Sequence, residues 1–179
     1  MEYLDVLDEH GNKTGITKDK KQVYEDGDWH RSIHVWIINS KNEILVQKRS
    51  PKKETLPNLW AISIAGHVRS GESSIDAIKR EVKEEIGIDV DLSNLIYLFT
   101  LNRIQPYKDK YIKVIDDVYL LKMDLDLEKT ILQRSELTKL KFIYYKDLQE
   151  KFRNKDPEFV PETEEQIRLF EIIDKYLNY

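Results

Sequence analysis

There is no cysteine among the 179 residues, which removes disulfides, thiolate metal sites and cysteine nucleophiles at once. Glycine and proline number only 6 and 5, and the chain shows no internal repeat, low-complexity tract or flexible linker. No apolar run approaches the roughly 20 residues of a membrane-spanning helix, and the acidic start MEYLDVLDEHG lacks the apolar stretch of a signal peptide. An excess of positive charge is missing too: the formal net charge is -4, which disfavours nucleic acid as a partner, a local basic groove excepted. What is present, 40% hydrophobic and 35% charged residues, suits one compact domain over residues 1–179. The expectation is a soluble, cytoplasmic protein without a membrane partner; a homodimer stays open.

Residues 2–17 read as a short hairpin turning at Gly11-Asn12. HRSIHVWIINSKNEILVQKRS reads as the clearest hairpin, two β-branched runs joined at Ser40-Lys41-Asn42. PKKETLPNLW is a proline-bounded loop, and WAISIAGH is one strand running into a glycine. Ser73 to Ile86 is a helix with Ile75, Ile78, Val82 and Ile86 on one stripe, entered through Ser73 or Ser74. NLIYLFTLNRIQ, YIKVIDDVYLLKMD and KLKFIYY are strand candidates. YKDLQEKF and a helix over about residues 162–177, entered through Pro161, close the chain. Many strands with few helices predict an α/β domain with a mixed or antiparallel sheet.

The Ser73–Ile86 helix carries an anomaly. Glu81, Glu84 and Glu85, at i, i+3 and i+4, share one face, where like charges oppose helix formation by a few tenths of a kcal/mol per pair. The crowding becomes favourable when a hard divalent cation sits among the carboxylates; magnesium prefers oxygen ligands and shares its sphere with substrate phosphates. Arg80, one turn before Glu84, can hold a carboxylate in orientation. Gly66, before the loop, lets backbone come close to a ligand.

The spacing is specific: Gly66, five residues, Glu72, seven residues, Arg80-Glu81-Val82, one residue, Glu84-Glu85, one residue, Gly87-Ile88, nine fixed positions over 23 residues. This resembles the Nudix box without a departure. The resemblance implies a Nudix-type α/β/α sandwich around a mixed sheet and a hydrolase of organic diphosphates. It implies magnesium, or manganese in its place, on Glu81, Glu85, Glu84 and the Gly66 carbonyl, with Glu84 as ligand or water-orienting base and Arg80 orienting. Glu136, in RSELTKLKF, resembles a late glutamate that some Nudix hydrolases use as ligand or base; the alternative is a plain surface residue.

A second resemblance covers roughly residues 3–150. DWHRSIHVWIIN, LVQKRSPKKETLPNLW and AGHVRSGES are similar to type I isopentenyl-diphosphate isomerases, which share the fold. In that family a cysteine before the Gly-His pair is the acid/base, and three histidines with two acidic residues hold a metal. Here the cysteine position is Ala65, which exchanges no proton. His30 and His67 match two histidines, the third falls near Val23-Tyr24 and is absent, and of the acidic pair only Asp117 matches. Arg49 and Lys53 match positions that contact the diphosphate, a role that suits cations; a solvated basic loop is the alternative. Trp60 is either core or a wall for group X of the substrate. His34, alternating with Trp36 and Ile38, reads as packed, and His10 as exposed. The function expected is magnesium-dependent cleavage of a diphosphate linked to a nucleoside-like or other organic group. The alternatives are an isomerase-like enzyme and a non-catalytic nucleotide-sensing domain.

Overall fold

The computed structural model describes residues 2–177. The order is β1 (Tyr3–Leu7), β2 (Lys13–Asp19), α1 (Lys20–Asp26), β3 (Trp29–Ile38), β4 (Glu43–Arg49), β5 (Trp60–Ala61), β6 (Ile64–His67), α2 (Ser74–Ile86), β7 (Leu95–Tyr107), β8 (Lys110–Lys122), β9 (Leu137–Tyr144), α3 (Tyr145–Arg153) and α4 (Glu164–Leu177). No helix among the described residues is long and apolar enough to cross a membrane.

β1 and β2 form the N-terminal hairpin, two residues longer at its end than the sequence suggests. The short helix α1 then follows unannounced. Asp19 caps it, accepting from the Lys21 and Gln22 N–H groups, and Gly27 ends it in the left-handed region at φ 67°. Seven residues with only Val23 buried give no helical period to read.

The expected β3–β4 hairpin is corrected. The two strands meet only at Ile38↔Ile44 and then splay apart. β3 pairs in parallel with β8 over its whole length, whereas β4 pairs antiparallel with β9. WAISIAGH fills the opening as two strands, β5 on β4 and β6 on β3. Ser63, at the break, links the sides: its Oγ accepts from the Ile37 N–H at 2.9 Å and donates to the Leu45 carbonyl at 2.5 Å. The splay is therefore a hydrogen-bonded junction with its buried polar groups satisfied.

Side-chain alternation along β3 divides the core. Ile33, Val35 and Ile37 face α2, with Ile64, Tyr119 and Leu121. Trp36 and Ile38 face α3 and α4, with Val118, Leu148, Phe152 and Phe170. The result is a mixed sheet between helices, an α/β/α sandwich. Ser73 caps α2 in a reciprocal box with Asp76. The buried stripe of α2 is Ala77, Ile78, Val82 and Ile86; Ile75 is corrected to the surface at 40% exposure. Each fully buried branched residue contributes about 1.5–3 kcal/mol, so docking outweighs the repulsion among the glutamates.

Candidate active site

The three carboxylates of α2 are not equivalent. Glu81 and Glu85 are 9% and 3% exposed, while the Glu84 side chain lies at the rim, 37% exposed. Glu85 has one weak hydrogen bond, from Gln47 Nε2 at 3.4 Å. Burial, and then the charges of Glu81 and Glu136, push its carboxyl well above the usual range. Burial raises Glu81 as well, against the pull of Arg80. A buried carboxyl with carboxylate neighbours is costly unless a cation joins it, and a set of hard oxygen donors fits magnesium or manganese. Gly66 completes the fit. A Cβ there would fall inside the Glu81 carboxyl group, so only glycine lets the strand end lie against that side chain. As the side chains stand, no three His, Asp or Glu among the described residues are arranged to hold an ion; Arg80 pairs with Glu81 in the same arrangement.

Arg80 holds more than the sequence suggests. Its Nε and Nη2 donate to the two Glu72 oxygens at 2.7 and 2.9 Å, and Nη2 also to the His67 carbonyl at 2.8 Å. Nη1 donates to Glu81 Oε1 at 2.5 Å, and to Glu84 at only 3.4 Å. Glu84, the partner expected from spacing, is thus the weakest of four, and Arg69 Nη2 shares it at 3.2 Å. Arg80→Lys keeps the charge but loses the planar fork. The expected outcome is a fall in kcat of at least about tenfold with KM changed less than about twofold, since orientation and not substrate contact is lost. A steady-state comparison checks it, and a change in KM alone would move Arg80 to the substrate side.

The loop after β4 places the other cations. Lys53 Nζ pairs with Glu136 at 2.5 Å, so the late glutamate is brought to the site with a partner. Arg49 is turned onto the loop itself, donating to the Thr55 and Leu56 carbonyls at 2.9 and 3.1 Å. In this arrangement the guanidinium organises the loop. Trp60, read as either core or wall, is buried, 8% exposed, with Lys141 Nζ 3.9 Å above its ring.

His30 and His67 lie together, ring centroids 5.3 Å apart, on the face of the sheet away from α2. Burial, and then His67, push His30 down to about 4, which leaves it neutral near pH 7. Tyr24 stands where the third histidine would be, its hydroxyl 2.8 Å from His67 Nε2. Of the adjacent acids, Asp116 and not Asp117 lies on the histidine face. Asp116 pairs in register with Ser32 on the histidine face, whereas Asp117 faces α2 and takes Arg31 and Ser74. His34 is packed but charged in character, bonded to Glu165 at 2.6 Å; Glu165 and Asp116 hold it at about 8 against the effect of burial. His10 is exposed. Gln47, Arg69 and Glu2 carried no signal in the sequence, and Tyr24 only that of a missing histidine, because each meets the site through tertiary contact. A cavity of about 530 Å³ lies at Asn39, Lys122 and Tyr176 and includes none of these residues.

A family model of the NUDIX domain matches residues 28–163. Nudix hydrolase 3 of Arabidopsis thaliana is 36% identical over 180 residues, covering 96% of this chain and 23% of the relative, so the chain spans about a quarter of that protein's length. An uncharacterised Nudix hydrolase of Listeria monocytogenes is 35% identical over 161 residues, 90% of this chain and 89% of the relative. An isopentenyl-diphosphate Delta-isomerase of Citrobacter koseri is 32% identical over 96 residues, 54% of this chain and 53% of the relative. Among solved structures, DR0079 from Deinococcus radiodurans superposes with a TM-score of 0.69 at 22% identity, covering 90% of this chain and 93% of that one.

Proposed function

The chain belongs to the Nudix hydrolase family, and we propose that it hydrolyses the P–O–P bridge of an organic diphosphate, nucleoside-linked or similar, with magnesium or manganese. Its reaction class, hydrolysis of a phosphorus-containing anhydride, comes with the family. Glu85 is the observation that carries the metal reading: a carboxyl 3% exposed, hydrogen-bonded among the described residues by Gln47, whose acidic neighbours Glu81 and Glu136 outweigh the charges of Lys53 and Arg49. Glu81, Glu85 and the Gly66 carbonyl would hold the ion. When bound, it supplies an acidic water and offsets charge on the phosphoryl oxygens.

The remaining steps fall to the chain. Glu84, at the rim, is placed to orient the attacking water and take its proton at a carboxylate oxygen. Arg80 keeps Glu81 and the His67 carbonyl in place. Lys53 can neutralise the leaving phosphate by exchanging Glu136 for it. That exchange would leave Glu136 free as a further ligand or base. Arg49 acts on the phosphates through the loop it organises.

Isomerisation is the second reading, motivated by the isomerase relatives and by His30 and His67. Ala65 opposes it, since the acid/base position carries a methyl group. A screen of nucleoside diphosphate derivatives, dinucleoside polyphosphates, capped RNA and isoprenoid diphosphates tests both. Phosphate or pyrophosphate release that stops with a chelator and ignores thiol reagents is expected. Isopentenyl diphosphate incubated in deuterated water should take up no deuterium; uptake into unhydrolysed substrate at a catalytic rate would overturn the hydrolase reading. Binding of nucleotides without any turnover would favour a sensing domain.

A further inference from the structure

His67 is the last residue of β6 and is gripped from two directions. Its carbonyl accepts from Arg80 of α2 at 2.8 Å. Its imidazole, on the opposite face of the sheet, sits between Tyr24 and Glu2, with Nε2 2.8 Å from the Tyr24 hydroxyl and Nδ1 3.5 Å from Glu2 Oε1. We propose that Tyr24 is a positioning residue of the metal site, acting through the His67 side chain to fix the Gly66–His67 peptide against Glu81. The inference rests on the metal reading given above, and it assigns a task to a helix, α1, that the motif does not contain.

Gly66 lies so close to Glu81 that there is no room for a methyl group between them, so a small slide of the strand end changes where the Glu81 oxygens and the Gly66 carbonyl stand relative to each other. The β3–β6 ladder ends at Ser32↔His67, and backbone bonds from Val68 N–H to the Arg31 carbonyl at 3.0 Å and from Ser70 N–H to the Tyr3 carbonyl at 2.8 Å hold the chain just beyond it; the His67 side chain adds a grip at the peptide itself. Arg80 fixes the α2 side of the peptide, and the Tyr24–His67 bond is its counterpart on the other side. Tyr24 is itself held rigidly. Its ring packs against His30, at 5.5 Å, and against Tyr107, at 5.5 Å and 70°. Burial, and then the charge of Glu2, raise the hydroxyl's pKa, so Tyr24 keeps its proton in the bond with His67. Both histidines of this cluster are thereby engaged as supports.

Groups that orient a ligand from outside the coordination sphere change metal affinity by about 10–100-fold when removed. The test reads Mn²⁺ binding to substrate-free protein, by loss of the free-ion signal in electron paramagnetic resonance. Tyr24→Phe keeps the ring packing and removes only the hydroxyl. Its Kd for Mn²⁺ is expected to rise about tenfold, with kcat lowered and KM at saturating metal unchanged. Glu2→Gln should shift Kd in the same direction and carries the test should Tyr24→Phe not fold. Tyr107→Phe, which removes the neighbouring hydroxyl bonded to Glu54, should leave Kd at the wild-type value. An unchanged Kd in Tyr24→Phe, or an equal rise in Tyr107→Phe, overturns the positioning role. Glu85→Gln in the same titration separates the two claims: if it binds Mn²⁺ as well as wild type, the metal reading fails, and if it does not while Tyr24→Phe does, only the role of Tyr24 fails.

Discussion

Glu85→Gln is expected to lower turnover of any accepted substrate at least about 100-fold, the magnitude of losing a group that holds charge in the transition state. Glutamine keeps nearly the shape of glutamate and the contact with Gln47, so the loss isolates the charge. The same variant should melt, without metal, no lower than wild type. Burial, Glu81 and Glu136 raise the Glu85 carboxyl well above 4.5, so the folded state holds that proton more tightly than the unfolded chain. Metal-free stability therefore falls as pH rises from about 4.5 through the folded value, and glutamine removes this slope. Loss of activity with a retained or raised melting temperature is a pattern that a purely structural glutamate would not give. A fully active Glu85→Gln enzyme would sink the metal assignment.

Gly66→Ala is expected to be nearly as damaging to activity and much less so to folding. The added methyl would meet the Cγ and carboxyl atoms of Glu81, the far end of a flexible side chain, which can swing away. Gly66 is also outside the left-handed set, which comprises Gly11, Gly15, Gly27, Gly71 and Gly87, so alanine meets no backbone strain there. Overpacking that relaxes in this way should cost no more than about 1–3 kcal/mol. The displaced Glu81 would cost about 100-fold in kcat, as misplacements near 1 Å do. Kinetics beside a thermal melt checks it; an active Gly66→Ala enzyme would mean that Glu81 does not need its present position.

The helix α2 was legible, Ile75 excepted, because everything that identifies it is contiguous. Cap, stripe, stop and carboxylates fall within one segment, and their spacings translate directly into a face. The mixed sheet was legible only as strands. Nothing local in β3 and β4 says that they separate after Ile38↔Ile44, and Ser63, which bonds both across the opening, lies some twenty residues on. The faces of Asp116 and Asp117 were not legible either: one step along a strand exchanges the faces, and only the register with Ser32 decides. Arg49 and Lys53 were recognised as cations near the site, but their present partners, loop carbonyls and Glu136, depend on how a proline-bounded loop closes. Tyr24 shows the limit most clearly. Its position read as a histidine lost, whereas the hydroxyl there makes a bond of its own to His67.

The two candidate metal sites lie on opposite faces of β6, the carboxylates on the α2 side and His30 and His67 on the other. A crystal soaked in Mn²⁺ and measured at the manganese absorption edge separates them directly. The account predicts an anomalous peak between Glu81, Glu85 and the Gly66 carbonyl. A peak at His30 and His67, with none at α2, would contradict it.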